Sequence, residues 1–96
     1  MQKNLSIAII LPAYNEEATI EATIRAFHQA VPEASIYVIN NCSTDNTTDI
    51  AQRTLEEIHA SGAVIQEMRK GKGNALRTAF LQIDADYYLL ADADLT

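Results

Sequence analysis

Apolar residues run almost without interruption from Leu5 to Leu11, with isoleucine at three of the positions. An unbroken run of that kind suits a strand covered on both faces of a parallel sheet. Pro12 limits its continuation, Asn15-Glu16-Glu17 offers a helix N-cap with first-turn acids, and Ile20, Ile24, Phe27 and Val31 recur at helical spacing. The unit then repeats. Ile36 to Ile39 is a second apolar run, Asn40 to Asp45 a polar loop, and Ala51, Leu55 and Ile58 a helical stripe ended by Gly62. Ala63 to Met68 reads as a third strand, Leu76, Ala79, Phe80 and Ile83 mark a third helix, and Tyr87 to Ala91 a fourth strand.

Three strand–helix units and a closing strand predict an α/β fold in three layers, a Rossmann-like parallel sheet of order 3-2-1-4 with helices on both faces. Ligands in such sheets bind at the carboxyl ends of the strands, where the strand order reverses. The loops on that edge carry Asn15, Glu16, Asn40, Asn41, Asp45, Arg69, Lys70, Asp92 and Asp94. On the opposite edge, Val31-Pro32-Glu33-Ala34 and Ser61-Gly62 read as ordinary turns, leaving Asp84 and Asp86 to explain.

A chain of 96 residues, 48% of them hydrophobic, fits one domain with its own core. The lone cysteine, Cys42, allows no internal disulfide and favours a reducing, cytoplasmic setting. A net charge of −6 argues against nonspecific nucleic-acid binding and against a polybasic membrane patch. Yet Arg69, Lys70, Lys72 and Arg77 concentrate four of the seven basic residues in one stretch, which points to an anionic ligand. No apolar stretch approaches the roughly 20 residues of a membrane span. The opening Met1-Gln2-Lys3-Asn4 and the apolar run after it superficially resemble a short signal peptide, but the run fits a buried first strand better.

Asp92-Ala93-Asp94 places two carboxylates two residues apart at the end of an apolar strand, where they repel unless a cation or hydrogen-bond donors neutralise them. A hard divalent cation bridging them to a diphosphate suits such oxygen ligands. Taken alone, the triplet reads first as a solvated acidic turn, and only its context favours the cation. Arg69-Lys70-Gly71-Lys72-Gly73-Asn74 sets cations at a helix start, against the macrodipole, and a bound phosphate would compensate them. The alternative is a flexible basic turn, and the GxxxxGK[ST] spacing of a P-loop is absent.

The first loop lacks the GxGxxG of dinucleotide-binding folds, which disfavours oxidoreductase chemistry. Its Asn15-Glu16-Glu17 is explained by capping, with a nucleoside role open for Tyr14 and Glu16. In the second loop, Asn40 and Asn41 can hydrogen-bond a base and ribose, while Ser43 and Asp45 read as helix caps. Cys42 has no evident base, His28 and His59 fall on helices away from the ligand edge, and Asp84-Ala85-Asp86 belongs to the opposite edge as a structural turn.

Four segments, Ile9 to Glu17, Val38 to Asp45, Arg69 to Leu76 and Leu89 to Thr96, together resemble family 2 glycosyltransferases of the GT-A fold. The resemblance implies a nucleoside-diphosphate sugar as donor and Mg2+ or Mn2+ as cofactor. Pro12, Tyr14 and Glu16 would meet the nucleoside with Asn40 and Asn41, Tyr14 and Glu16 flanking the base. Lys70 and Lys72 would lie near the diphosphate, Asp92 at the ribose or a metal-bound water, and Asp94 on the metal. The Asp-Ala-Asp-Leu-Thr ending resembles the polyprenyl-phosphate sugar transferase branch, which implies that lipid phosphate as acceptor and a membrane-associated parent.

Family members usually have aspartate where this chain has Asn40, so base selectivity is altered if that position reads the base. They also continue well past Asp-x-Asp with an acceptor-binding half and a general base, whereas this chain stops two residues later. Residues 1–96 are therefore expected to be the donor-binding part of an inverting transferase, without a catalytic base, inactive alone and prone to self-association along an exposed fourth strand. The competing readings are a nucleotidyltransferase-like enzyme, which lacks support from a Gly-rich loop after the first strand, and a noncatalytic nucleotide-binding module. A phosphoacceptor receiver domain is disfavoured because no acidic pair follows the first strand.

Overall fold

A computed structural model describes residues 5–93, so Asp94, the expected metal ligand, lies outside the described residues. The element order is β1 (Ile7–Ala13), α1 (Ile20–Ala30), β2 (Ser35–Asn41), α2 (Thr47–Glu57), β3 (Gly62–Glu67), α3 (Lys72–Gln82) and β4 (Tyr87–Leu90). All strand pairings are parallel and the sheet order is β3-β2-β1-β4, as the hydrophobic pattern predicts.

Strand alternation divides the core in two. Ile9, Leu11, Ile36 and Val38 face one side and pack against Ile20 and Ile24 of α1 and Ala51 and Leu55 of α2. Ala8, Ile10 and Ile39 face the other side and pack against Ala75 and Ala79 of α3 and Ile83 beyond it. Ile9, Ile10 and Leu11 are each fully buried, and burial of each such side chain contributes about 1.5–3 kcal/mol. The chain steps outward from β1 to β3 and then returns beneath the sheet through α3 to β4, so strand order reverses between β1 and β4.

Several boundaries differ from the sequence expectation for identifiable reasons. Pro12 does not end β1, which runs to Ala13 with Pro12 opposite Ile39 of β2. Ser6 O and Ile10 O accept hydrogen bonds from the β4 side, so alternation points the Pro12 nitrogen the same way, beyond the last paired residue of β4. Its missing N–H therefore costs no ladder bond. Helix α1 starts only at Ile20 behind Thr19, and Asn15, expected as its cap, instead has φ 50 and reaches across to the second loop.

Gly62 does not end α2. The helix stops at Glu57, and His59 takes the positive φ of 54 that reverses the chain. Gly62 opens β3 with φ +125, where a Cβ would stand 1.8 Å from Ile36 O, so close approach to β2 requires glycine. In α3 the buried stripe is Ala75, Thr78 and Ala79, while Phe80 is half exposed.

Candidate functional site

A cleft of about 620 Å³ opens at the carboxyl ends of β1 and β4, at the reversal point. It is lined by Pro12, Ala13, Tyr14, Glu16, Asn41, Lys70, Gly71, Lys72, Asp92 and Ala93. Seven of the nine sequence-predicted binding and metal positions thus meet there: Pro12, Tyr14, Glu16, Asn41, Lys70, Lys72 and Asp92. Asp94 is outside the described residues, and Asn40 does not line the cleft.

Adjacent positions on one strand explain the different fates of Asn40 and Asn41. Asn40 points to the α1/α2 face with Ile36 and Val38, where its Nδ2 donates to Gln66 Oε1 at 2.7 Å and its buried Oδ1 has no partner among the described residues. Asn41 points to the other face and is committed to the basic loop. Its Nδ2 donates to Arg69 O at 2.7 Å and Glu67 O at 3.3 Å, and its Oδ1 accepts from Gly71 N at 2.9 Å. Three bonds from one amide fix the backbone that carries Lys70 and Lys72.

Glu67 anchors the same loop from below. It is 6% exposed and accepts from Arg69 N at 2.7 Å, from both ends of the Arg69 guanidinium at 3.0 Å, and from Thr78 Oγ1 of α3. The Arg69 bond first, then those from Thr78 and the Arg69 amide, hold the Glu67 carboxyl down to about 2. Arg69 is consequently folded back onto Glu67, and of the clustered cations only Lys70 and Lys72 line the cleft. Gly71, with φ 116, is the cap position before α3, and the first amides to bond back are those of Asn74 and Ala75, to Gly71 O. The Lys72 and Gly73 amides are thereby left as donors at the helix start.

The first two loops are laced together. Asn15 N donates to Ser43 Oγ at 2.9 Å, Thr44 N to Asn15 Oδ1 at 2.8 Å, Glu16 N to Thr47 Oγ1 at 2.9 Å, and Asn46 N to Glu17 Oε2 at 3.2 Å. Asp45, expected as a cap, stands one residue before the α2 cap position, which is Asn46, and its Oδ1 accepts from Thr47 N at 3.0 Å. Burial pushes its carboxyl up, but bonds from the Thr47 hydroxyl, the Thr47 amide and the Glu17 amide outweigh this and lower it. The lacing leaves Tyr14 half exposed at the rim, a ring free to stack on a planar ligand.

Across the cleft, Lys72 Nζ lies 2.8 Å from Asp92 Oδ1, both side chains being largely exposed. Such a pair is worth about 0–1 kcal/mol and opens readily. A carboxylate that is exposed and only weakly held suits a hard divalent cation completed by ligand oxygens. Among the described residues no group of three acidic, histidine or cysteine side chains forms a cation site without such help. At the opposite edge Asp86 Oδ2 accepts from Ser6 N at 2.8 Å, tying β4 to β1, and takes no part in the cleft.

Sequence reasoning missed Thr19 and Thr23 of the α1 region, whose hydroxyls both donate to Ala93 O, at 3.2 Å and 2.8 Å. Their signal was present: two threonines four apart beside Ile20 and Ile24, on the stripe that packs inward. Glu67 and Thr78 were likewise not singled out in the sequence.

The chain is 41% identical over 96 residues to Protein RfbJ of Shigella flexneri, covering all of this chain and 70% of the relative. It resembles glucosyl-3-phosphoglycerate synthase of Mycobacterium tuberculosis, solved with Mn2+, UDP and phosphoglyceric acid, with a TM-score of 0.80 and 30% identity over 95% of this chain. It also resembles a mannosyltransferase of Pyrobaculum calidifontis, solved with GDP-Man and Mn2+, with a TM-score of 0.86 and 26% identity over 96% of this chain. It spans only 34% and 28% of those two solved chains. The family model described as Glycosyl transferase family 2 matches residues 8–96, and the chain belongs to that family.

Proposed function

We propose that this chain binds the nucleoside-diphosphate sugar donor of a metal-dependent, inverting glycosyltransferase, and that residues 1–96 form the donor-binding part of its domain. The observation that carries the reading is the convergence of Lys70, Lys72 and Asp92 on one cleft, with two cations and an acidic strand end arriving from separate parts of the chain. The Mn2+-bound nucleotide complexes of the two solved relatives support it.

In this reading Tyr14 stacks on the base, the laced first and second loops shape the nucleoside pocket, and Lys70, Lys72 and the amides at the start of α3 hold the diphosphate. Asp92 and Asp94 would hold Mg2+ or Mn2+, which would supply positive charge to the departing diphosphate. Lys72 leaves Asp92 for a phosphate oxygen when donor and metal enter, an exchange made easy by the low worth of the exposed pair. The acceptor hydroxyl or phosphate oxygen attacks the anomeric carbon from the face opposite the diphosphate. The carbon–oxygen bond to the diphosphate breaks with its electron pair, and a general base takes any acceptor proton. The Asp92 to Thr96 ending supports a polyprenyl phosphate as acceptor, and the single cysteine a cytoplasmic donor side.

Reversing Lys70 and Lys72 to glutamate tests the assignment. Calorimetry with UDP and GDP in the presence of Mn2+ should show diphosphate affinity falling about tenfold or more, while affinity for the bare nucleosides changes little. Equal losses for diphosphate and nucleoside would refute it.

A further inference from the structure

The Asp92-Ala93 turn is held from behind by a helix that carries none of the assigned ligands. Ala93 is 2% exposed and packs in the α1/α2 core, and its carbonyl oxygen accepts from Thr23 Oγ1 at 2.8 Å and Thr19 Oγ1 at 3.2 Å. Thr23 is fully buried and lies within α1, where a threonine hydroxyl ordinarily bonds back to the carbonyl four residues earlier. Here the only proton that hydroxyl can donate goes instead to a strand end 70 residues away. Thr19 adds a contact between its hydroxyl and Glu16 Oε2 at 3.4 Å, so the first loop and the acidic turn share one side chain.

We infer that Thr23, seconded by Thr19, is a positioning residue for the metal and diphosphate end of the cleft. It acts by fixing the Ala93 carbonyl and hence the direction in which the acidic turn leaves β4. The planar peptide unit that contains this carbonyl carries the chain out of the turn, so a rotation freed at Ala93 O changes the direction in which the chain leaves Asp92 and Ala93. Ala93 fits this duty by size, because a larger side chain would enter the core shared with Ile20 and Ile24. The inference rests on the metal-site reading proposed above, for which Thr23 touches neither donor nor cation.

Thr23→Val keeps the volume and removes the proton donor, Thr23→Ser keeps the donor, and Thr19→Val removes the weaker bond. UDP and GDP binding is measured calorimetrically with Mn2+ and with EDTA, alongside amide hydrogen exchange of the segment around Asp92 and Ala93. Thr23→Val should lower the Mn2+-dependent gain in affinity about 10-fold, the lower end for residues that orient metal ligands, with little change in EDTA. Exchange at the acidic turn should rise while that of β1 and β2 is unchanged. Thr23→Ser should restore both, and Thr19→Val should give a smaller loss.

Equal losses with and without Mn2+, or no rescue by serine, would overturn the inference. If the wild-type chain shows no Mn2+-dependent gain, the metal reading fails, and exchange still decides whether the threonines hold the turn. Unchanged exchange in Thr23→Val would then overturn the clamp itself. Should Thr23→Val fail to fold, Thr19→Val, which removes a half-buried contact, carries the same comparison.

Discussion

Replacing Asn41 should separate its structural duty from any contact with ligand. Its amide makes three hydrogen bonds to the 67–71 segment, at 2.7, 2.9 and 3.3 Å. A net bond of this type contributes about 0.5–1.5 kcal/mol, and the longest of the three counts for least, so Asn41→Ala should cost roughly 2–3 kcal/mol. That is a roughly 30- to 150-fold fall in the folding equilibrium constant.

Asn41→Asp is the sharper probe. One carboxylate oxygen can still accept from Gly71 N, but the other would face the carbonyl oxygens of Arg69 and Glu67 where Nδ2 now donates. Acceptor against acceptor should make the aspartate at least as destabilising as alanine at neutral pH. Protonation at acid pH should then relieve it in part, because the carboxylic acid regains a donor. Urea denaturation of both variants across pH measures this directly. An aspartate variant as stable as wild type at neutral pH, or an alanine variant within about 0.5 kcal/mol, would refute the stapling role.

Two further perturbations probe the frame around the cleft. Gly62→Ala places a Cβ 1.8 Å from Ile36 O at φ +125, so unfolding experiments should register a loss of about 3 kcal/mol or more, and one below about 1 kcal/mol would contradict the packing. Glu67, held at about 2 against an ordinary 4.5, stabilises the folded state in full above pH 4.5 and loses that contribution as pH falls through about 2. Glu67→Gln should therefore flatten the pH dependence of stability in that window, and an unchanged slope would show that the Arg69 and Thr78 bonds are not what depress the carboxyl.

The sheet order and the edge that carries the cleft were legible in the sequence because buried parallel strands leave unbroken apolar runs, such as Ile7 to Leu11, and burial on both faces admits few alternatives. Boundaries were less legible. Pro12 looked like a stop because its missing N–H matters only where a neighbouring strand needs it, and the short reach of β4 is not written in β1. Asn15 looked like a cap because local chemistry cannot say whether a side chain turns to its own helix or to a loop 29 residues away. The same limit applies to the basic loop. Arg69 and Lys70 are alike in charge, and only the buried Glu67 beside them folds one back along the surface and leaves the other at the cleft.

The proposed site binds a nucleoside diphosphate through a divalent cation at Asp92-Ala93-Asp94, and not at the similar Asp84-Ala85-Asp86 triplet whose Asp86 is engaged with Ser6. Titrating Mn2+ with UDP and with GDP against the wild-type chain, Asp94→Ala and Asp86→Ala tests it most directly. Mn2+ should raise wild-type affinity for one of the nucleotides by roughly tenfold or more, Asp94→Ala should abolish the gain, and Asp86→Ala should retain it. Loss of the metal dependence in Asp86→Ala with its retention in Asp94→Ala would contradict the assignment of the site.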